Sequence, residues 1–353
     1  GAPARDEVMG LSRGETVGKV SAVVPTEATA KDYYFDSYAH FGIHEEMLKD
    51  TVRTNAYRDS IMNNKALFEG KIVLDVGCGT GILSMFAAKA GAKHVYGVDC
   101  SGIIHSAKQI VIDNNMQDKV TLIHGKVEDL ELPVDKVDVI ISEWMGYALF
   151  YESMLDTVLV ARDRWLAPGG LIMPDKAALW VAGAADPYFK PDKIDFWGDV
   201  YGFNMSCIQG VARVEPVVES VRPDIVCTKP FVLKNVDIMT CTKQDLTFEA
   251  SYRLQATRND YLNAFILYFD VGFTKCDPPI WMTTAPKAQY THWRQTVMHF
   301  HEHLVVSNKE VVSGKVTCRP NEKNHRDLDF KVTYSHKGKV NGQKQGSYDY
   351  RMR

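Results

Sequence analysis

Lys71-Ile-Val-Leu-Asp-Val-Gly-Cys-Gly-Thr-Gly81 decides the fold expected for the first part of this chain. Residues 72–76, apolar except for Asp75, predict a buried strand, and the glycines that follow predict a tight turn. Residues 82–90 then predict an apolar helix ended by Gly91, and residues 94–99 a second strand that closes on an acid. A strand, a helix and a strand in this order are typical of a doubly wound parallel sheet, the Rossmann-like class.

The glycine turn also predicts a ligand, because open parallel sheets bind nucleotide-like molecules where a strand turns into its crossover helix. The pattern is G-x-G-x-G, and Ile82 stands where the dinucleotide fingerprint has Gly or Ala. A phosphate can therefore approach the helix N-terminus less closely than in a dehydrogenase. Asp99, at the end of the second strand, is placed to accept hydrogen bonds from ribose hydroxyls. With Asp75 before the turn and Glu128 after a third strand, it favours an adenosine-containing ligand.

A second informative stretch is Ser-Glu-Trp-Met-Gly-Tyr-Ala-Leu-Phe-Tyr-Glu, residues 142–152, which follows an apolar strand at 137–141. Glu143 and Glu152 bracket an apolar loop, and carboxylates at such a place are costly to bury unless a cation lies between them. Paired acids also catalyse glycoside hydrolysis, but a glycosidase would have no use for the adenosine site. Two carboxylates suit the planar donors of a guanidinium, and methyl transfer from a sulfonium cofactor to that group uses every feature.

Composition excludes several other classes of protein. The chain has 353 residues, 45% hydrophobic and 24% charged, with 44 acids against 41 bases and no basic run. Direct nucleic-acid binding is therefore not expected. Seven widely spaced cysteines without a C-x-x-C predict a reducing compartment, with neither a disulfide framework nor a zinc site. No apolar run approaches the ~20 residues of a membrane span, so no membrane contact is expected.

The remaining chain divides into segments that differ in composition and residue pattern. Residues 1–30 are small and polar and predict a poorly ordered lead-in; residues 31–65 predict a helical segment, with a solvated amphipathic helix at 44–64. The parallel-sheet domain is expected at 66–175, with a turn at residues 168–170. A β-rich domain, a sandwich or a barrel, is expected at 176–353 because apolar residues alternate there without crossover helices.

Two features of the second domain leave alternatives open. Residues 188–210 are rich in aromatic side chains and form either local core or an exposed arm that seeks a partner. His299, His301 and His303 alternate and are expected on one strand face. Three imidazoles there can bind zinc, but paired side chains are the commoner arrangement, and no metal is predicted.

Four motifs carry a family resemblance: residues 73–81, the double-acid loop at 142–152, Thr291-His-Trp293, and Tyr34-Phe-Asp-Ser-Tyr38. Together they resemble the protein arginine methyltransferases, nearest to the predominant type I, asymmetric-dimethylating enzyme. The similarity covers nearly everything after residue 31. It implies an S-adenosylmethionine-dependent methyltransferase domain followed by a β-barrel domain, with residues 188–210 as a helical dimerisation arm of a homodimer. S-adenosylhomocysteine is the expected product of the cofactor, and no metal is implied.

The resemblance also implies roles for individual residues. Glu143 and Glu152 would hold the substrate guanidinium, and His292, paired with Asp50, would approach them from the barrel. The implied substrate-binding residues are Tyr38, Glu143, Met145, Tyr147, Glu152 and Trp293. The implied cofactor-binding residues are Tyr34, His44, Met47, Arg53, Asp75, Gly77, Gly79, Asp99, Glu128 and Met154.

Three of these assignments carry more detail. Arg53 is expected at the methionine carboxylate of the cofactor, and the segment at 31–65 would cover that cofactor. Met47 and Met154 are expected to bear on whether the product is asymmetric or symmetric. Asp99 stands where relatives more often have Glu, so either the strand end lies nearer the ribose or a water bridges the gap.

The function expected is that of a type I protein arginine N-methyltransferase of cytoplasm and nucleus. Its substrates would be arginines in basic, Gly-rich segments, including histone tails and RNA-binding proteins. Two alternatives stay open: a methyltransferase of the same fold acting on a small molecule or nucleic acid, and a non-catalytic scaffold that binds arginine-rich tails.

Overall fold

A five-stranded parallel sheet forms the first domain of the computed structural model, which describes residues 38–340 and 342–353. Segment 1–30 and Tyr34 lie outside the described residues. The sheet order is β3-β2-β1-β4-β5. Its strands and crossover helices are β1 (Ile72–Val76), α3 (Ile82–Lys89), β2 (His94–Asp99), α4 (Ile103–Asp113), β3 (Val120–His124), β4 (Val137–Ile141), α5 (Met154–Trp165) and β5 (Leu166–Met173). The prediction of a doubly wound parallel sheet is confirmed.

The order of the strands positions the site. After β1 the chain continues outward through β2 and β3, and β4 then returns to the other side of β1, with Leu74 opposite Ile140. This reversal makes a topological switch point, where the loops after β1 and β4 leave the same edge and open a crevice between them. The glycine turn and the double-acid loop are therefore neighbours in space.

Two helices precede the sheet, α1 (Phe41–Lys49) and α2 (Thr51–Met62). The sequence predicted a single solvated helix at 44–64, and this was wrong in both respects. Asp50, with ψ of 94°, separates the two helices, and its carboxylate caps α2 by accepting a hydrogen bond from the Arg53 amide at 3.0 Å. The inner face is buried, as Tyr57 and Ile61 show, because the helices lie over the first domain.

The predicted turn at Pro168-Gly-Gly170 lies inside β5. Val137 pairs with Leu166, but Val139 pairs with Leu171, so the extra residues form a bulge in the strand. A bulge and a turn use the same residue types, which is why the sequence did not distinguish them.

Antiparallel strands build the second domain, and the predicted β-barrel is confirmed. One sheet has the order β7-β12-β10-β6-β8 with β11 on β10, and the other has the order β15-β14-β13-β9. Large apolar side chains such as Phe265, Phe269 and Phe330 fill the space between them. The strands are β6 (Lys176–Ala184), β7 (Val217–Glu219), β8 (Phe231–Asp237), β9 (Phe248–Gln255), β10 (Asp260–Phe273), β11 (Ile280–Thr283), β12 (Gln295–Val306), β13 (Val311–Pro320), β14 (Leu328–Gly338) and β15 (Gly342–Met352).

Residues 188–210 leave the barrel as short helical turns at Lys190–Ile194, Asp195–Gly198 and Ser206–Ile208, and α6 (Gln209–Val214) returns to it. Several of their aromatic side chains face outward: Tyr201 is 97% exposed and Phe203 is 69% exposed. Of the two alternatives for this segment, the structure therefore favours the exposed arm over local core. Among the helices described, none combines the length and the apolar character needed to cross a membrane.

Candidate active site

A cavity of about 220 Å³ opens at the carboxyl edge of the parallel sheet, between the loops after β1 and β4. Helices α1 and α2 cover it on one side, and residues of the barrel domain close another. Most of the residues predicted for the site line this one space: Tyr38, His44, Met47, Arg53, Gly77, Gly79, Asp99, Glu128, Glu143, Met145, Tyr147, Glu152, Met154, His292 and Trp293.

The glycine turn forms the floor of the cavity. Gly77 has φ of +72°, and its amide donates to Val98 O at 2.9 Å, which ties the turn to β2. The Gly79 amide donates to Asp99 Oδ2 at 2.9 Å, and the Ser101 amide and hydroxyl both donate to Asp99 Oδ1. The short Asp99 side chain is thus held against the turn. Its carboxylate keeps acceptor capacity for hydroxyl groups of a ligand in the cavity.

Asp75 is not among the residues that line this cavity, although the sequence assigned it to the cofactor. It lies beneath the glycine turn, fully buried, where the Ser84 hydroxyl donates to its Oδ2 at 2.6 Å. Its Oδ1 has no hydrogen-bond partner among the described residues. Burial raises the pKa of Asp75 to about 7, against the opposing effect of the Ser84 hydrogen bond. The structure therefore assigns Asp75 to the support of the turn.

The far end of the same cavity is lined by Glu128, Val127 and Gly125 after β3. Thr157 of α5 donates its hydroxyl to Glu128 Oε1 at 2.7 Å and also lines the cavity. Sequence reasoning missed Thr157, because a threonine inside an amphipathic helix carries no signal of a site.

The double-acid loop has a strained backbone. Ala148, Leu149, Glu152 and Ser153 are non-glycine residues with φ of 48°, 70°, 75° and 55°. Such left-handed conformations cluster at functional sites and persist only where surrounding contacts enforce them. One such contact comes from the barrel, where Trp293 Nε1 donates to Met145 O at 2.7 Å.

The two acids are held by different partners. Glu143 Oε2 accepts a hydrogen bond from Arg53 Nε at 2.9 Å, and both side chains of this ion pair are only 8% exposed. Glu143 Oε1 is buried and has no hydrogen-bond partner within residues 38–340 and 342–353. Glu152 Oε2 accepts a hydrogen bond from the Tyr38 hydroxyl at 2.9 Å. The buried Glu143 oxygen marks a place where a cationic donor would bind.

Arg53, which the resemblance placed at the methionine carboxylate of the cofactor, is bound to Glu143 in this structure, and its contact with a cofactor stays a prediction. Besides its bond to Glu143, its Nη1 donates to Met47 O at 3.3 Å. The guanidinium still lines the cavity, so it neutralises part of the acid charge from the cofactor side.

His292 enters the cavity from the barrel. Its amide and its Nδ1 lie 2.8 and 2.7 Å from Asp50 Oδ2. Burial by itself raises the pKa of Asp50, but the hydrogen bonds from His292 and from the Arg53 amide outweigh it and lower the pKa. The predicted pairing of these two residues is confirmed. Asp50 does not line the cavity, so it is a positioning residue that acts through His292.

The three alternating histidines of β12 border one small cavity, but among the described residues they do not form a group close enough to ligate one metal ion. A bulge after Leu262 of the neighbouring strand breaks the register, and His301 and His303 are exposed. His299 is buried and lies 2.9 Å from Asp186, which also accepts hydrogen bonds from two amides at the start of the arm. In the part of the chain described, Asp186, His299 and Glu219 form one cluster able to ligate a metal. Because His299 is bonded to Asp186, the histidine is in the paired arrangement and not in a histidine metal site.

A cavity at the switch point of a parallel sheet that opens on paired carboxylates fits a methyltransferase with a nucleoside-containing cofactor. Comparisons with known proteins agree. A family model described as "Methyltransferase domain" matches residues 73–170, and one described as "Arginine methyltransferase oligomerization subdomain" matches residues 175–339.

Individual relatives cover nearly the whole chain. Protein arginine N-methyltransferase 1 of Chlamydomonas reinhardtii is 57% identical over 94% of this chain and 96% of the relative. The protein of that name from Schizosaccharomyces pombe is 57% identical over 87% of this chain and 90% of the relative. A solved Trypanosoma brucei enzyme–prozyme heterotetrameric complex with AdoHcy is 43% identical, with a TM-score of 0.87, and covers 90% of this chain and 100% of that chain. The chain belongs to the protein arginine N-methyltransferase family, and the resemblance seen in its motifs is confirmed.

Proposed function

We propose that this protein is a type I enzyme that methylates the guanidino nitrogens of protein arginines, with S-adenosylmethionine as the methyl donor. The products are mono- and asymmetric dimethylarginine, and S-adenosylhomocysteine. The observation that carries this proposal is that Glu143 and Glu152 line the same cavity as the glycine turn and Asp99. A carboxylate pair for a cation thus adjoins a site for an adenosine-containing group.

The residues present fit the cofactor. Asp99 would offer carboxylate oxygens to the ribose hydroxyls, Glu128 would hold the adenine, and the open backbone of Gly77 and Gly79 would allow close approach. When bound, the cofactor supplies an electrophilic methyl group on a sulfonium. The ion pair of Arg53 with Glu143 stands beside this region and offers a cation for a carboxylate of the ligand.

The chain's own residues make arginine reactive. A guanidinium is a poor nucleophile because its lone pairs are delocalised and it stays protonated at neutral pH. Hydrogen bonds to Glu143 and Glu152 localise the positive charge on two nitrogens and leave electron density on the third. Most of the rate enhancement is then alignment and electrostatics.

Methylation of a guanidinium releases one proton. Among the groups lining the cavity, the two carboxylates of the acid loop and His292 can accept it. Because Asp50 Oδ2 binds His292 Nδ1, it favours the tautomer with a proton on Nδ1 and holds the ring in place. In this mechanism the proton leaves after the methyl transfer, and its removal does not limit the rate of that transfer.

We further propose that the substrates are proteins with basic, Gly-rich tails, including histone tails and RNA-binding proteins, met in the cytoplasm and the nucleus. A net charge of −3 tolerates such basic partners, and an acid pair recognises their arginines. Self-association into a homodimer through the arm is supported by the exposed aromatic side chains there.

The test is methyl transfer to an Arg-Gly peptide, with a Lys-Gly peptide of the same length as control. Mass spectrometry should find asymmetric dimethylarginine in the first peptide and no methyl in the second. Methylation of a nucleic acid or metabolite alone would favour the same-fold alternative. Binding of AdoHcy and peptide without any transfer would favour the scaffold.

A further inference from the structure

The loop between β13 and β14, residues 321–327, reaches from the barrel to the double-acid loop. The Glu152 amide donates to Arg326 O at 2.8 Å, and Arg326 Nη1 donates back to Glu152 O at 2.6 Å. The Ser153 hydroxyl donates to His325 O at 2.6 Å. Arg326 therefore binds the peptide groups on both sides of the second acid, and His325 binds the side chain of the next residue.

A fourth contact fastens the same loop to the following helix. His325 Nε2 lies 2.8 Å from Asp156 Oδ2, in the first turn of α5. The loop is itself ordered by Asn321, whose Oδ1 accepts hydrogen bonds from the amides of Lys323 and Asn324. The barrel thus presents a preformed support and not a loose strand connection.

These contacts converge on the strained part of the loop. Glu152 and Ser153 both have left-handed φ angles, of 75° and 55°, which non-glycine residues adopt only when neighbours enforce them. The direction of the Glu152 side chain depends on that backbone. Removal of the Arg326 side chain takes away the Nη1 bond and keeps the main-chain bond of Arg326 O. With this half of the support gone, the backbone would relax toward ordinary dihedrals and turn the carboxylate away from the cavity.

We propose that Arg326, with His325, is a positioning residue for arginine methylation: it sets the left-handed backbone of Glu152 and thereby aims that carboxylate at the substrate guanidinium. This inference rests on the proposed function. It assigns to the barrel domain a second role in the site, besides the delivery of His292.

Arg326 also lines the cavity, so its test must separate positioning from direct contact with the cofactor. The variants are Arg326→Ala and, as a matched control, Arg319→Ala. Arg319 is an exposed arginine on β13, 3.9 Å from Asp329. We expect Arg326→Ala to lower kcat/KM for the peptide by at least roughly tenfold, with the Kd for AdoHcy changed less than about twofold. Arg319→Ala should leave both values unchanged.

A double-mutant cycle with Glu152→Gln provides the decisive readout, measured in single turnovers with labelled cofactor. If Arg326 acts through Glu152, its removal from the Glu152→Gln enzyme lowers the rate by less than about twofold further. Multiplied effects of the two substitutions, or a loss of AdoHcy affinity in proportion to activity, would overturn the proposal.

Two further measurements separate a failure of the positioning proposal from a variant that does not fold and from a failure of the proposed function. If Arg326→Ala does not fold, Ser153→Ala removes one bond of the same support, and it should lower kcat while the melting temperature is retained; an unchanged kcat would count against the support. Wild-type activity of the Glu152→Gln single variant would instead refute the proposed function, whatever Arg326 does.

Discussion

His292 Nδ1 and Asp50 Oδ2 lie 2.7 Å apart although 242 residues separate them in the chain. Asp50 also caps α2 through the Arg53 amide, and Arg53 in turn binds Glu143. One carboxylate therefore connects the N-terminal helices, the acid loop and the barrel. The cavity is complete only when all three parts are assembled.

Replacing Asp50 by Asn tests this connection. Asn still caps a helix, but the charged bond to His292 is lost, which costs about 1–3 kcal/mol for a buried partner. Because the pKa of Asp50 is lowered in the folded state, its stabilising effect is present above the unfolded value of about 3.9 and is lost as the pH falls further. The difference in melting temperature between wild type and Asp50→Asn should be largest near pH 7 and shrink below about pH 4. A difference that grows on acidification would contradict this.

Glu143→Gln and Glu152→Gln should each nearly abolish turnover, because a neutral amide cannot hold the charge of the guanidinium. AdoHcy binding, measured by calorimetry, should remain largely intact. Glu131→Gln, a surface control whose side chain is 89% exposed, should behave as wild type. If affinity for AdoHcy collapsed in step with activity, the two acids would not be holding the guanidinium.

Comparison of wild type with the Asp75→Asn variant should reveal the titration of the buried Asp75 carboxyl. In the wild type the folded pKa of about 7 exceeds the unfolded value of about 3.9, so the free energy of unfolding contributed by this group decreases as the pH rises between the two. Asn does not titrate. Chemical denaturation should therefore show Asp75→Asn gaining stability relative to wild type from about pH 4 to about pH 7. Parallel stability curves over that range would show that Asp75 is ionised in the folded protein.

Gly77→Ala should weaken cofactor binding. Its φ is +72°, and an added Cβ would lie 2.8 Å from Met154 Cε inside the cavity. Gly169 is the matched control, because its φ is +78° but nothing lies within 4 Å of an added Cβ. Both variants lose about 1 kcal/mol of stability to backbone strain. Only Gly77→Ala should raise the Kd for AdoHcy, by roughly tenfold or more; equal affinities in the two variants would argue against a close approach at Gly77.

Substitutions in the exposed arm should weaken self-association. Changing Tyr201 and Phe203 to Ser together removes the most exposed aromatic surface of residues 188–210, and sedimentation should then detect monomers with low activity. Tyr261→Ser is the control, since Tyr261 is 62% exposed on the barrel and outside the arm. A variant that is demonstrably monomeric yet fully active would show that the arm does not support catalysis.

Local patterns explain what could be predicted for the fold. Residues 72–76 are apolar except for Asp75 and precede a glycine turn, so the buried strand and its crossover followed from the residue pattern alone. Strand β15 gives a weak signal in the sequence because it lies at the edge of its sheet and is mostly exposed. The break at Asp50 was missed because residues 44–64 suit a helix throughout, and the interruption is stabilised by the cap on α2 and by the distant contact with His292.

The same distinction holds for the site. Asp99, Glu143 and the glycine turn were predictable because each lies at or just after the end of a strand of the parallel sheet, and such strand ends meet at one edge. Glu152 was predictable as the second acid of the loop that follows β4. Asp75 looked identical in that pattern, but its side chain points under the turn and not into the cavity. Thr157 and Arg326 carried no signal, since each is an ordinary residue in an ordinary element until the fold brings it to the cavity.

The amino-acid sequence by itself determined the class of fold, the family and the two acids, because these depend on residue type and on spacing over a few tens of residues. The tertiary structure alone decided how the acids are held: Arg53 on Glu143, Tyr38 on Glu152, and Arg326 on the backbone of Glu152. Hydrogen bonds of that kind depend on distances of about 3 Å between atoms far apart in the chain, and only packing of the two domains sets those distances.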